Sequence, residues 1–308
     1  MMTTLRTLPA VALGLLLLLG VPGLARAQYD FHSFDYPEAV ETYADGNSTH
    51  EIVGEYVDKD GNTHGFVWNK DDFSSPHIDP FDAPDAVGDT SINGINARGD
   101  RVGRYTDTAG KSFGYFLSKK GDFKTIDAPG ARFTQAFFLN AQGQVVGYYV
   151  DAKTRVRHGF LWSKGDFTTT SIDVKSAGPG GTAAVGINEP GDIVGFYRDG
   201  APPPAVHHFH GFLLSGGVYT LFDVPDANGG DTVPQGINNR GQIVGYYTDA
   251  DGTDHGFVLS DGVYKTINVP DALWTDIYSI NAKGEIVGAY GDADGVHVHG
   301  FQGTPTHK

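Results

Sequence analysis

The chain has 308 residues, a formal charge of -15 and no cysteine. Its acidic excess repels phosphate backbones, polyphosphates and anionic lipid, which excludes nucleic acid and membrane surfaces as partners. The lack of cysteine excludes a disulfide framework and a lipoprotein anchor, while abundant Gly, Thr, Val, Tyr and Phe without amphipathic helical stretches read as strands and turns.

Residues 1–27 have the pattern of a cleavable leader. Arg6 supplies a positive start, Val11 to Leu19 an apolar core, and Ala25-Arg-Ala27 a cleavage signal before Gln28. The apolar run is shorter than the roughly 20 residues that span a bilayer. A soluble exported protein, periplasmic or extracellular, is therefore expected, with residues 28–308 as one all-β domain. Losing Arg6 and Arg26 with the leader takes the formal charge from -15 to about -17.

The rest of the chain repeats itself. Gly46-Asn-Ser-Thr-His-Glu-Ile-Val-Gly54 is a worn first copy. Clearer ones are Ile95-Asn-Ala-Arg-Gly-Asp-Arg-Val-Gly103, Leu139-Asn-Ala-Gln-Gly-Gln-Val-Val-Gly147 and Ile187-Asn-Glu-Pro-Gly-Asp-Ile-Val-Gly195. Gly236-Ile-Asn-Asn-Arg-Gly-Gln-Ile-Val-Gly245 and Ile280-Asn-Ala-Lys-Gly-Glu-Ile-Val-Gly288 complete the series. The Val-Gly glycines recur every 43 to 50 residues or about that, the spacing of four-stranded propeller blades. In the fifth copy the strands are expected at Val233 to Ile237, Gln242 to Thr248, His255 to Ser260 and Val263 to Val269. Asn238-Asn-Arg-Gly241, Asp249-Ala-Asp-Gly252 and Asp261-Gly262 form the turns between them.

The last copy lacks its fourth strand. Tyr29-Asp-Phe-His-Ser-Phe-Asp-Tyr-Pro-Glu-Ala39 matches Tyr264-Lys-Thr-Ile-Asn-Val-Pro-Asp-Ala272, so the N-terminal segment is expected to complete it. The expected fold is all-β, a six-bladed β-propeller of four-stranded antiparallel blades closed by the N-terminal strand.

The repeat unit (Gly-Ile-Asn-x-x-Gly-x-Ile-Val-Gly-x-Tyr, an Asp-Gly turn, His-Gly-Phe, then Thr-Ile-Asp-x-Pro-x-Ala) resembles the HAF-type extracellular repeat family across residues 28–308. The resemblance implies export and a propeller-like array, and carries over no catalytic or binding residue. Two departures occur: Phe113 replaces histidine in the second copy, and Asp173-Val-Lys175 replaces Asp-x-Pro in the third.

Candidate site residues lie where the copies disagree. A threonine recurs before each first strand (Thr42, Thr90, Thr134, Thr182, Thr232, Thr275) and suggests a cap. Around it stand individual residues: Tyr43 and Asp45; Asp89 and Asn93; Arg132, Phe133, Gln135 and Phe137; Asp231 and Gln235; Trp274, Asp276 and Tyr278. Placed at one mouth of a central channel, aromatic faces with Asp, Asn, Gln and Arg suit a neutral sugar, whose C–H faces stack on rings. Aromatics plugging the channel are the alternative.

Histidines His64, His158, His210, His255 and His299 each precede Gly and an aromatic. Their sameness argues for a packing role repeated per blade. His208 with His210, beside a proline-rich insertion, could take a divalent metal, against a solvated loop as the plainer reading. Asp58-Lys-Asp-Gly61, Asp249-Ala-Asp-Gly252 and Asp292-Ala-Asp-Gly295 resemble pieces of calcium loops, but each lacks a third acid and the distant Glu, so turn chemistry is preferred and no cofactor is expected.

The expected function is a non-enzymatic exported binding or scaffold module, a monomer presenting its channel mouth to a glycan or surface protein. The alternative is a propeller hydrolase or lyase acting on a carbohydrate or lactone through Asp45, Asp89, Asp231 and Asp276. A purely structural envelope role is the third reading.

Overall fold

The computed structural model describes residues 29–70, 78–163, 165–167, 171–200 and 207–306. The leader expected over residues 1–27 lies outside them, as does the proline stem 202–204. Among the described residues the chain forms β-strands and one 3-10 turn, with no α-helix.

After β1 (Tyr29–Phe34) the strands come in units of four. The first is β2 (Glu41–Asn47), β3 (Glu51–Val57), β4 (Thr63–Asn69) and β5 (Ile78–Phe81). The second is β6 (Thr90–Ile95), β7 (Arg101–Thr106), β8 (Ser112–Leu117) and β9 (Phe123–Ile126). The third is β10 (Ala131–Leu139), β11 (Gln144–Asp151), β12 (Arg157–Ser163) and β13 (Asp166–Phe167). The fourth is β14 (Ala177–Ile187), β15 (Ile193–Asp199), β16 (Phe209–Ser215) and β17 (Val218–Phe222). The fifth is β18 (Thr232–Ile237), β19 (Ile243–Thr248), β20 (Asp254–Ser260) and β21 (Val263–Ile267). The last is β22 (Trp274–Ile280), β23 (Ile286–Gly291) and β24 (Val298–Pro305), with β1 paired antiparallel to β24 from Tyr29↔Pro305 to Phe34↔Gly300.

Each unit is an antiparallel four-stranded sheet. Single parallel bridges, Glu41↔Val298, Thr63↔Asp89 and Phe133↔Ser112, join three pairs of neighbouring units. The strands of the fifth unit fall within two residues of the expected limits.

Two local rules of the repeat explain the sheets. Asparagine opens the first turn: in the fifth unit Asn238 Oδ1 accepts N–H bonds from Arg240 (3.0 Å) and Gln242 (3.1 Å), and Gly241 takes φ +75°. The valine before each Val-Gly glycine packs forward onto the next unit. Val53 clusters with Ile92 and Ile95, Val146 with Ala184, Val194 with Ile237, Val244 with Ile277, and Val287 with Ala44 and Ile52 of the first unit. A fully buried valine of this kind contributes about 1.5–3 kcal/mol, so the sheets are held face to face by an interaction repeated around the molecule.

Candidate functional site

Each first strand is pinned at its start by its threonine. Thr42, Thr90, Thr134, Thr182, Thr232 and Thr275 are buried, and each Oγ1 accepts the backbone N–H of the residue inside the preceding Asp-x-Pro segment or its variant, at 3.0–3.3 Å. The cap expected there is present.

Three residues on, every first strand carries a bulge. The register slips between Ala44 and Gly46, Ile92 and Gly94, Ala136 and Phe138, Ala184 and Gly186, Pro234 and Gly236, and Ile277 and Ser279. A bulge inserts a residue whose side chain leaves the pleat. The six inserted residues are Asp45, Asn93, Phe137, Val185, Gln235 and Tyr278, and all six line one cavity of about 100 Å³. The Val-Gly glycines exist because of this bulge. A Cβ on Gly54, Gly103, Gly147, Gly195, Gly245 or Gly288 would sit 1.9–2.1 Å from the carbonyl oxygen of the facing strand.

The cavity divides the sequence-derived candidates. Asp45, Asn93, Phe137, Gln235 and Tyr278 meet inside it. Val185 and Phe138 line it too and were not anticipated: Val185 carries no polar signal, though Phe138 stands where other copies have Gly or Ser. At about 30 Å³ per water the space holds roughly three. The five residues expected at a sugar-binding mouth thus share one narrow cavity with Val185 and Phe138.

Nearer the strand starts the candidates separate further. Asp89 is held in a bidentate pair by Arg104 (2.6 and 2.9 Å) and accepts from Thr106 Oγ1 at 2.7 Å. Asp231 Oδ1 accepts the Phe209 N–H at 3.0 Å and faces His208 Nδ1 at 3.2 Å. Both carboxylates therefore serve the scaffold. Tyr43 donates to Glu41 (2.7 Å), Phe133 stacks on Tyr148 at 5.6 Å, and Arg132 is exposed.

Trp274 and Asp276 lie elsewhere, in a cleft of about 290 Å³ with Leu273 and the hairpin residues Gly252, Thr253 and Asp254 of the fifth unit. Gly291 makes room for the indole: a Cβ there would stand 2.2 Å from Trp274 Nε1. Asp254 was not anticipated, and neither was the variable residue of Val-Gly-x-Tyr. That position supplies Glu55, Arg104, Tyr148, Phe196, Tyr246 and Ala289, paired across the first strands with Tyr43, Ser91, Gln135, Ala183, Val233 and Asp276. Its variation among copies was the available signal.

This region is acidic. Burial raises the Asp276 carboxyl to about 7, Asp254 adds to the rise, and the Tyr278 hydroxyl opposes it. Burial also pushes Asp45 well above the usual carboxylate range, with the charge of Glu55 adding to it. Glu55 is raised by burial, opposed by Arg104 and reinforced by Asp89 and Glu41. Burial raises Tyr278 far above 10, and Asp276 and Asp45 reinforce the shift.

At the opposite end of the first strands a second cavity of about 100 Å³ is ringed by asparagines. Asn96 Nδ2 donates to Asn140 O, Asn140 to Asn188 O, Asn188 to Asn238 O, Asn238 to Asn281 O and Asn281 to Ser48 O, at 3.1–3.3 Å. These amides link each unit to the next.

The recurrent histidines are scaffold as well. Each stacks at 5.2–5.3 Å on the tyrosine of Val-Gly-x-Tyr. His64 bridges Asp82 (2.9 Å) and Asp58 (3.3 Å), and His299 bridges Asp35 (2.8 Å) and Asp292 (3.3 Å). Where Phe113 replaces histidine, Lys111 reaches Asp127 at 2.7 Å and lies 4.6 Å from the Phe113 ring, so an ammonium takes over the bridging charge.

His208 Nδ1 lies 3.2 Å from Asp231 Oδ1 and His210 Nδ1 2.9 Å from Asp223 Oδ1, while His207 and His210 both approach Asp199, at 3.1 and 3.7 Å. In the hairpins, Asp58 Oδ1 accepts from the Asp60 and Asn62 amides and Asp249 Oδ1 from those of Asp251 and Thr253, the expected turn chemistry. Asp292, Asp294 and His297 bring ligand atoms within 4.8 Å, but His297 Nδ1 already lies 2.9 Å from Asp294. No helix among the described residues is long and apolar enough to cross a membrane.

No family model matches the chain, and no curated protein sequence does. Among solved structures it is similar to the β-propeller domain of the Trilobed protease from Pyrococcus furiosus, at 10% identity and a TM-score of 0.53, covering 86% of this chain and 95% of that one. A mutant Aleuria aurantia lectin in complex with Fucalpha1-6GlcNAc gives 10% identity, a TM-score of 0.52 and coverage of 86% and 93%. Another structure of the Aleuria aurantia lectin, described as a six-bladed propeller with a fucose recognition mode, gives 12%, 0.50, and 89% and 91%. At such identities the likeness is one of fold: the chain has the β-propeller fold, built from four-stranded antiparallel sheets.

Proposed function

We propose that the protein is an exported, six-bladed propeller of the HAF-repeat type that binds a neutral glycan at the Trp274 cleft. Ring closure by the N-terminal strand is supported by the β1–β24 pairing and by first-to-last contacts. Asn281 Nδ2 reaches Ser48 O, Asn47 Nδ2 reaches Glu285 O at 2.9 Å, and buried Lys70 pairs with Glu285 at 2.9 Å.

The observation that carries the binding reading is the composition of the cleft. A part-exposed indole borders a pocket of about 290 Å³ with Thr253, Asp254 and Asp276, offering a ring for C–H faces and oxygens for hydroxyls. The two lectin structures of the same fold add to this reading by analogy only. Glycan-array binding by the wild type should be lost in Trp274→Ala and weakened about tenfold in Asp276→Asn, the loss of one or two hydrogen bonds. Binding indifferent to both substitutions would overturn the assignment.

One observation favours a second reading. A carboxyl raised to about 7 at the edge of a cleft, as in Asp276, has the proton affinity of a general acid. Hydrolysis of a bound glycoside that Asp276→Asn abolishes while binding persists would establish that reading in place of simple binding.

A further inference from the structure

We propose that the channel cavity is a binding site for a hard metal cation, liganded by Asp45, Asn93, Gln235 and Tyr278. The cavity adjoins the glycan cleft where the Tyr278 hydroxyl donates to Asp276 at 3.4 Å.

The cavity is two-sided. Bulge residues of the fifth, sixth, first and second units, namely Gln235, Tyr278, Asp45 and Asn93, form a continuous polar arc. Those of the third and fourth, Phe137 and Val185, with Phe138, form an apolar wall opposite. A bulge that only completed a sheet would have no reason to sort its residues this way.

Asp45 carries the argument. It sits at the centre of the polar arc, and its Oδ2 is sealed from solvent without any hydrogen-bond partner. An ionised carboxylate in such a place costs several kcal/mol unless a charge or donor compensates it. Among the described residues, the charge acting on Asp45 is the like charge of Glu55. Arg104, which opposes the charge of nearby Glu55, is already committed in a bidentate pair to Asp89.

The donors are all oxygens: a carboxylate, two side-chain amide carbonyls and a phenol. Asn93 Oδ1 is oriented by the Ser91 hydroxyl at 3.0 Å, and Ser91 is itself buried. With neither imidazole nor thiolate in the cavity, the set suits calcium rather than zinc or copper. A space of about 100 Å³ admits an ion and the waters needed to complete its shell.

The test uses the mature protein, stripped with chelator and studied at about pH 8, since burial raises the Asp45 carboxyl and a cation must displace its proton. Calcium is titrated by calorimetry and by melting temperature up to ~10 mM, above the range of weak extracellular sites. A saturable heat and a melting temperature raised by several degrees are expected. Asp45→Asn, nearly isosteric, should remove both while melting close to the metal-free wild type. Gln235→Ala should weaken binding about tenfold, one ligand's worth. Trp274→Ala should keep a saturable calcium response, which separates this site from the glycan cleft.

Absence of heat and of any melting shift in the wild type overturns the proposal. So does an unchanged response in Asp45→Asn, which would place calcium elsewhere, for instance at Asp292, Asp294 and His297.

Discussion

Replacing Gly245 by alanine tests the account of the bulged first strands most directly. The added Cβ would lie 2.1 Å from Val233 O, 2.8 Å from Pro234 Cα and 3.0 Å from Phe257 Cε1. An ordinary carbon–oxygen contact is about 3.3 Å, so the strands must part by more than an ångström. Overpacking of this sort costs about 1–3 kcal/mol, and the strained ladder bonds beside the bulge add about 0.5–1.5 kcal/mol each. Some 3–5 kcal/mol follows, or roughly a 10 °C fall in melting temperature at about 2–4 °C per kcal/mol. Gly252 is the matched control: its φ is +83° but no atom lies within 4 Å of an added Cβ. Gly252→Ala should cost only the left-handed penalty of about 1–2 kcal/mol. Scanning calorimetry of both variants decides the matter. If Gly245→Ala melts no lower than Gly252→Ala, close approach is not what keeps glycine at this position.

Other outcomes follow from the same structure. Asp276 keeps its proton to about 7 in the folded chain, against roughly 4 when unfolded. Glu55 and Asp45 shift in the same direction, so the folded state holds more protons and stability falls as pH rises from about 4 to 7. His64 and His299 act in the same sense: burial lowers them but their aspartate hydrogen bonds raise them on balance, so their contribution is full below about 6.5 and fades as pH climbs through the folded values. Metal-free melting temperature should therefore decline between about pH 5 and 8, and Glu55→Gln with Asp276→Asn should flatten the slope. Asn238→Ala removes a donor to Asn281 O and an acceptor for two turn amides in a buried setting, costing about 2–3 kcal/mol in urea unfolding. Deleting residues 29–34 uncovers the edge of β24 and should lower the melting temperature by at least as much as Gly245→Ala; an unchanged melt would refute closure by the N-terminal strand.

The fold was readable because each unit states its own rules. Asn238 with Gly241 marks a turn, Asp261-Gly262 and Pro270 bracket an outer strand, and the match of Tyr29–Ala39 to Tyr264–Ala272 points β1 to β24. The site was readable only in part. Variation among copies singled out Asp45, Asn93, Phe137, Gln235 and Tyr278, which do converge, but it grouped them with Trp274 and Asp276, which lie in a separate cleft. Strand alternation alone cannot foresee a bulge, and the bulge is what turns position 45 inward. Nor could spacing reveal that Asp89 and Asp231 are spent on Arg104, Phe209 and His208, because those partners come from other strands. Val185 was invisible for a simpler reason: an apolar residue in a strand looks like core wherever it points.

The extra residue in each first strand separates two tasks that usually compete for the same side chains. Residues on either side of it are buried against neighbouring sheets and tolerate little change, whereas the one squeezed out of line answers to nothing but the axis. Six such positions, each on its own sheet, can be exchanged one at a time while the framework stays intact. A lineage built this way could acquire a new interior chemistry by single substitutions, keeping the same scaffold throughout.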